Sequence, residues 1–200
     1  LIRQEGEAQH YCPNEQSCPP QVTGKILHFI GRKALNIEGL GEETVELMFA
    51  KKMIKSPLDL YHLTFDQLLS LERMAEKSAN NLLQSITASK QIPFERVLFG
   101  LGIRFVGETV AKKLAQAFKT MTALSAASLE ALLLVDEIGE KIAQSILAYF
   151  SDPENLSLIA GLQAAGLQFE VLQKELQSTI LEGKICVISG TFETFSRDEI

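Results

Sequence analysis

The sequence predicts a mainly α chain in which one two-helix unit recurs four times in tandem. Three observations predict it: a residue pattern at a steady step, apolar positions at helical spacing, and turn and cap residues bounding each copy. The pattern reads apolar–x–x–apolar–small–Glu–x–x–small–x–x–apolar. Its copies are Ile37, Leu40, Gly41, Glu42, Val45, Met48; then Leu71, Met74, Ala75, Glu76, Ala79, Leu82. The third is Ile103, Val106, Gly107, Glu108, Ala111, Leu114, and the fourth Val135, Ile138, Gly139, Glu140, Ala143, Ile146. The small residue before Glu moves from 41 to 75, 107 and 139, in steps of 34, 32 and 32. Periods of this size mark a repeated, stacked supersecondary unit. In each copy a turn residue suited to positive φ stands directly before a helix with apolar residues at helical spacing. An apolar helical segment precedes the turn. Each copy therefore reads helix, tight hairpin, helix.

The elements follow in order. Residues 1–34 read as an irregular N-terminal piece containing Cys12, Pro13, Cys18, Pro19 and Pro20, then a helix from Val22 to Arg32. Residues 35–165 carry the four copies, punctuated by Pro57, Pro93 and Pro153 at element starts, where proline is tolerated. Capping boxes are expected at Thr64–Gln67 and at Ser151–Glu154, the second with Pro153 in its first turn. The helix begun at Ser151 should end near Gly166, a suitable C′ residue. Residues 166–180 read as a linker. Beyond them Ile185-Cys186-Val187-Ile188 is a short β-type run closed by Gly190, and Ser196-Arg197-Asp198-Glu199 opens a helix. A lone strand leaves its edges unpaired. Residues 181–200 therefore read as the start of an incomplete domain, expected to be disordered or to pair with a neighbouring molecule.

Composition bounds the function. The chain has 200 residues, 46% hydrophobic and 22% charged, the profile of an ordinary globular protein. No apolar stretch approaches the ~20 residues of a membrane span, and no signal peptide opens the chain. Three unevenly spread cysteines argue against a disulfide scaffold and suit a reducing cytoplasm. The net charge of −6 is uneven: residues 151–200 hold eight acidic and three basic groups, residues 90–150 six and seven. Tight nucleic-acid binding from bulk charge alone is not expected. No paired carboxylates, Ser–His–Asp set or Cys–His pair stands out. Gly100-x-Gly102 with Gly107 lacks the strand–turn–helix context of a nucleotide site. Cys186 belongs to an apolar run, and His28 and Phe29 to an apolar helix stripe, so packing explains them.

The hairpins aim backbone at solvent. A hairpin before a helix leaves amide N–H groups unpaired at the helix start, where the dipole adds positive charge. Such an end is an anion site, and a nucleic-acid phosphate can occupy it. The unit resembles the helix–hairpin–helix of DNA-binding proteins that read no base sequence. The alternative is a plain α-hairpin repeat whose glycines serve only the turn. Gly107 and Gly139 are expected at positive φ, where a β-branched residue is a severe outlier, so valine at either should destabilise the turn and weaken DNA binding. Arg104, Lys112 and Lys113 flank the third hairpin, and Arg32 and Lys33 precede the first; they either reach phosphates or are solvated helix charges. The Glu after each turn repels phosphate, stabilises its own helix N-terminus and should point away from DNA.

Three ordered motifs carry a more specific resemblance. Cys12…Cys18-Pro19-Pro20-Gln21 followed by Asn36-Ile37-Glu38-Gly39-Leu40-Gly41 resembles the zinc-finger exit and first hairpin of bacterial NAD-dependent DNA ligases. Phe99-Gly100-Leu101-Gly102-Ile103-Arg104-Phe105-Val106-Gly107-Glu108 resembles their third hairpin. Gly183-Lys184, Ser189-Gly190-Thr191-Phe192 and Ser196 to Glu199 resemble the opening of a BRCT domain. The resemblance implies a C-terminal ligase fragment: zinc-finger remnant, helix–hairpin–helix domain, first BRCT residues. It implies a bacterial, cytoplasmic, nucleoid-associated enzyme sealing nicks in replication and repair, with NAD and Mg bound outside this chain. Nothing here matches the Lys-x-Asp-Gly adenylation element, so the chain alone should be inactive. The implied partner is nicked double-stranded DNA, gripped through minor-groove phosphates by Gly39, Gly41, Arg104, Gly107, Lys112, Lys113, Gly139 and Lys141. Cys12 and Cys18 become half of a four-cysteine zinc site, with His10 near enough to substitute; two thiolates cannot complete it, so it is expected to be empty. Arg73-Met74-Ala75 departs from the glycine-rich turn, and Ala75 tolerates positive φ poorly. Two other classes stay open: a helical-repeat protein-interaction module, and the DNA-binding part of a repair nuclease or glycosylase.

Overall fold

The computed structural model describes residues 2–3, 10–14, 17–72 and 74–171. The run 185–188, Cys186 and the rest of 181–200 lie outside the described residues, as do the side chains of His10 and Arg73. The described chain is mainly helical, as predicted. A two-residue antiparallel pair, β1 (Ile2–Arg3) with β2 (His10–Tyr11), precedes the helices.

Helix α1 (Pro19–Ile30) begins on two prolines, whose missing N–H groups cost nothing in a first turn. Its Val22, Ile26, Phe29 and Ile30 fall on one buried face. Helices α2 (Glu42–Ala50), α3 (Phe65–Leu69) and α4 (Glu76–Ser89) follow, with a 3-10 turn at Pro57–His62 between α2 and α3. Then come α5 (Phe94–Gly100), α6 (Glu108–Phe118), α7 (Met121–Ser125) and α8 (Leu129–Leu133). Helices α9 (Glu140–Ser151) and α10 (Pro153–Ala164) close the series. The four sequence copies fall on helix pairs that pack on each other: α1 with α2, α3 with α4, α5 with α6, and α8 with α9.

One apolar cluster runs from α1 to beyond α10. Phe29, Phe94, Leu35, Met48, Leu60, Leu98 and Leu114 are fully buried in it. Helix α1 touches α2, α5 and the 3-10 turn. It thus shares the hairpin core, although the sequence places it in the N-terminal piece. A Cβ at Gly100 would lie 2.7 Å from Leu35 Cδ2 and 3.3 Å from Ala34 Cβ, so a glycine lets α5 end against the first hairpin.

The caps are partly those expected. Thr64 and Gln67 form a reciprocal capping box. At α10 the cap is Asp152 rather than Ser151: its carboxylate accepts from the Glu154 amide at 2.9 Å. Helix α9 continues through Ser151, whose hydroxyl donates back to the Leu147 carbonyl, so the next residue takes the capping role. Gly166 ends α10 with φ +96. The Leu167 and Gly166 amides donate to the Leu162 and Gln163 carbonyls, a Schellman closure. The chain then returns to the core. Leu167 and Phe169 are buried, and the Met121 and Val171 amides donate to the Phe169 and Lys119 carbonyls at 2.8 Å each. The first residues of the expected linker therefore pack beside the α6–α7 connection.

Candidate nucleic-acid interface

The residue directly before each second helix does not take positive φ. Gly41, Ala75, Gly107 and Gly139 are N-caps at φ −93, −84, −83 and −85, all extended. This corrects the sequence expectation. An N-cap residue is extended because its carbonyl already accepts the first helical bond, so the reversal must be made upstream. It falls two residues earlier, at Gly39 (φ +89), Phe105 (φ +66) and Glu137 (φ +65). The first and third hairpins add a second left-handed residue, Asn36 (φ +50) and Gly102 (φ +69). Ala75 therefore fits its place without strain.

What the small residues provide is open space. A Cβ built on Gly41, Gly107 or Gly139 meets nothing within 4 Å. None of the four N-caps of α2, α4, α6 and α9 makes a side-chain capping bond. Of the other helices, α3, α7, α8 and α10 are capped by Thr64, Thr120, Ser128 and Asp152, while α1 and α5 start on Cys18 and Pro93 without a side-chain cap. The second helix of every hairpin thus begins on solvent-facing amides that its N-cap leaves open. The first-turn glutamates are exposed. Two are drawn to side-chain partners: Glu108 to Lys33 Nζ at 2.5 Å and Glu140 to Gln144 Nε2 at 3.0 Å.

Neighbouring hairpins brace one another. In the first pair, the Glu38 amide donates to Ser85 Oγ of α4 at 2.8 Å, and Gly39 sits against Leu82. In the second pair, Ser145 Oγ of α9 donates to the Arg104 carbonyl at 2.7 Å. Lys141 Nζ lies 4.7 Å from the Phe105 ring centroid, and the Arg104 guanidinium 4.8 Å from it. The two pairs are joined by Arg96, which donates to the Arg32 and Lys33 carbonyls, and by the Lys33–Glu108 ion pair. The α6 N-terminus is thereby held beside the entry to the first hairpin, and the α9 N-terminus beside the third. At least these ends share one region of the surface.

Each predicted site residue now has a place. Gly39 makes a reversal; Gly41, Gly107 and Gly139 are bare N-caps. Arg104, Lys112 and Lys141 are exposed. Lys113 is different. Its half-buried ammonium bonds Asp136 at 2.6 Å and Glu137 at 2.9 Å, bracing the fourth hairpin against α6. Hydrogen bonds donated to Asp136 and then to Glu137 raise the Lys113 pKa, and Lys113 holds the Asp136 carboxyl below its ordinary value. A depressed carboxyl stabilises the fold above its unfolded pKa and loses that contribution as pH falls through the folded one. The brace should therefore hold at neutral pH and release below about pH 4, with a small effect because both carboxylates are exposed. Lys113→Ala is expected to return the Asp136 titration, followed by NMR, toward the ordinary range. An unchanged titration would mean that the pair does not form. The sequence reading missed Phe105, Ser145 and the Asp136–Glu137 pair. The column two residues before each N-cap, Gly39, Arg73, Phe105 and Glu137, held the signal.

Among the described residues, Cys12 and Cys18 are not joined by further metal-ligating side chains. Both are free and half-buried: the Cys12 carbonyl accepts from Gln21 Nε2 at 3.0 Å, and Cys18 is the N-cap of α1. Among the described residues no three His, Cys, Asp or Glu side chains converge, so this set does not fit the four-ligand geometry of structural zinc. No described helix is long and apolar enough to cross a membrane.

Paired helices joined by tight turns, with bare amides at the second helix, define a helix–hairpin–helix module. The helix-hairpin-helix motif family matches residues 96–159, from α5 into α10. Over its whole length the chain is similar to proteins named DNA ligase. It is 58% identical to that of Parabacteroides distasonis, 55% to that of Phocaeicola vulgatus and 55% to that of Bacteroides fragilis. Each match covers 100% of this chain and 30% of the relative, so the chain spans under a third of the length of these curated relatives. These matches and the hairpin motif fit a C-terminal segment of a bacterial DNA ligase, the family its motifs resemble.

Proposed function

We propose that this chain is the part of an NAD-dependent DNA ligase that grips duplex DNA across a nick, without reading its sequence. The observation that carries the reading is the contrast in capping. All four helix ends that follow hairpins carry no side-chain cap; of the other helices, α3, α7, α8 and α10 are capped by Thr, Ser or Asp, and only α1 and α5, begun on Cys18 and Pro93, are not. A protein-interaction module gives no reason for four uncapped ends at the same place in each hairpin. Phosphate binding does: the amides and the helix dipole attract an anion, and at Gly41, Gly107 and Gly139 the absent Cβ lets a phosphate approach the backbone. Contacts of this kind fix position on the duplex and carry no base information. Adenylation chemistry, with NAD and Mg, would belong to parts of the relatives that this chain does not cover.

The test is a titration against nicked and intact duplexes of unrelated sequence over a range of salt. Affinity should be indifferent to base sequence and should fall as salt rises. The slope should be shallow, since backbone amides release few counterions and few cations flank the hairpins. A strong preference for one sequence, or no binding to any duplex, would overturn the reading.

A further inference from the structure

Phe105 is the residue whose conformation and exposure the hairpin fold leaves unexplained. It occupies the reversal of the third hairpin at φ +66, a left-handed conformation that bulky side chains rarely adopt. The equivalent residue of the first hairpin is Gly39, which adopts such a φ freely. In the fourth it is Glu137, which the Lys113 ion pair engages. A glycine would satisfy the turn at position 105, yet the chain places there an aromatic ring that stays 43% exposed. The ring does not project alone. The Arg104 guanidinium and Lys141 ammonium lie within 4.8 Å of its centroid, and the bare N-cap Gly107 is two residues away. An apolar face among cations and open amides is complementary to one class of surface, in which sugar and base edges lie between phosphates. Proteins that bind the minor groove commonly press an apolar side chain there.

We propose that Phe105 is an apolar wedge that packs against the minor-groove edge of duplex DNA, making the third hairpin a positioning contact rather than a phosphate clip alone. This rests on the duplex-binding reading above; Arg104 and Lys141 place positive charge beside the ring. Phe105→Gly separates a binding role from a structural one, because glycine relieves the left-handed strain while removing the ring. Its melting temperature should equal or exceed that of the parent chain. Its affinity for nicked duplex should fall about five- to tenfold, the low end of what an aromatic contact to a base contributes. The ratio of parent to variant Kd should stay constant across salt, because no counterion is released by an apolar contact. Phe105→Tyr should restore binding. Leu156→Ala, which removes similarly exposed apolar surface on α10, should leave affinity unchanged.

Equal duplex affinity of the parent chain and Phe105→Gly would overturn the wedge while leaving duplex binding intact. A lowered melting temperature in Phe105→Gly would likewise overturn it, by showing that the ring serves the fold. Absence of duplex binding by the parent chain would instead overturn the proposed function itself.

Discussion

A chain carrying Gly107→Asp and Gly139→Asp together should lose duplex affinity by about a hundredfold while melting no lower than the parent. The two halves of this result have separate causes. Both glycines are extended, at φ −83 and −85, and a Cβ on either points into open space, so aspartate introduces no strain. Aspartate is also a preferred N-cap, better than glycine by a few tenths of a kcal/mol, because its carboxylate accepts from the first-turn amides. Those amides are the groups proposed to hold phosphate. The carboxylate would occupy them and repel the anion. A hydrogen bond to a charged group contributes about 1.5–3 kcal/mol, so each site accounts for roughly tenfold or more. Fluorescence anisotropy on nicked duplex and calorimetric melting check both halves. Unchanged binding removes the hairpin amides from the mechanism. A joint fall in binding and melting temperature would restore a structural role for the glycines. By the same geometry, Gly107→Val carries no turn strain, contrary to what the repeat pattern suggested.

Phe29→Ala is expected to destabilise the whole hairpin domain by about 3–5 kcal/mol. Phe29 is fully buried in α1, meets the Tyr61 ring edge-on at 6.4 Å, and lies where Gly100 brings α5 close. The cavity left by the ring cannot collapse without moving α1, α5 and the 3-10 turn together. Against a typical domain stability of about 5–15 kcal/mol the loss is large. For a chain of this size it corresponds to roughly 6–20 °C in melting temperature. Helical circular dichroism should fall in one transition. If α1 were a separable N-terminal piece, the hairpin helices would melt as in the parent chain.

Much of this protein is legible in its sequence. The step of 32 to 34 residues located the four second helices, and Glu42, Glu76, Glu108 and Glu140 each stand at a helix start. Thr64, Pro57, Pro153 and Gly166 play the boundary roles that their chemistry dictates. The candidate site was only partly legible. Glycine before a helix suggested positive φ, but glycine is equally compatible with an extended residue that merely lacks a side chain. Sequence cannot separate those two uses, since both remove the same atom. Lys113 looked like Lys112, its neighbour. Its half-buried ion pair with Asp136 and Glu137 depends on a hairpin more than twenty residues away, which no local pattern reports.

The sequence by itself determined the helical class, the hairpin spacing, the helix starts and the family resemblance. These follow from periodicity, caps and backbone freedom, all of which act over a few neighbouring residues. Only the tertiary structure decided that α1 and residues 167–171 join the same core, which hairpins brace each other, and which cations are engaged. It also decided where the chain reverses, placing the left-handed residue at Gly39, Phe105 and Glu137 rather than at the N-cap glycines. The physical reason is that burial, ion pairing and the path of a hairpin depend on residues far apart in the chain. Their free energy is fixed only when the helices have packed.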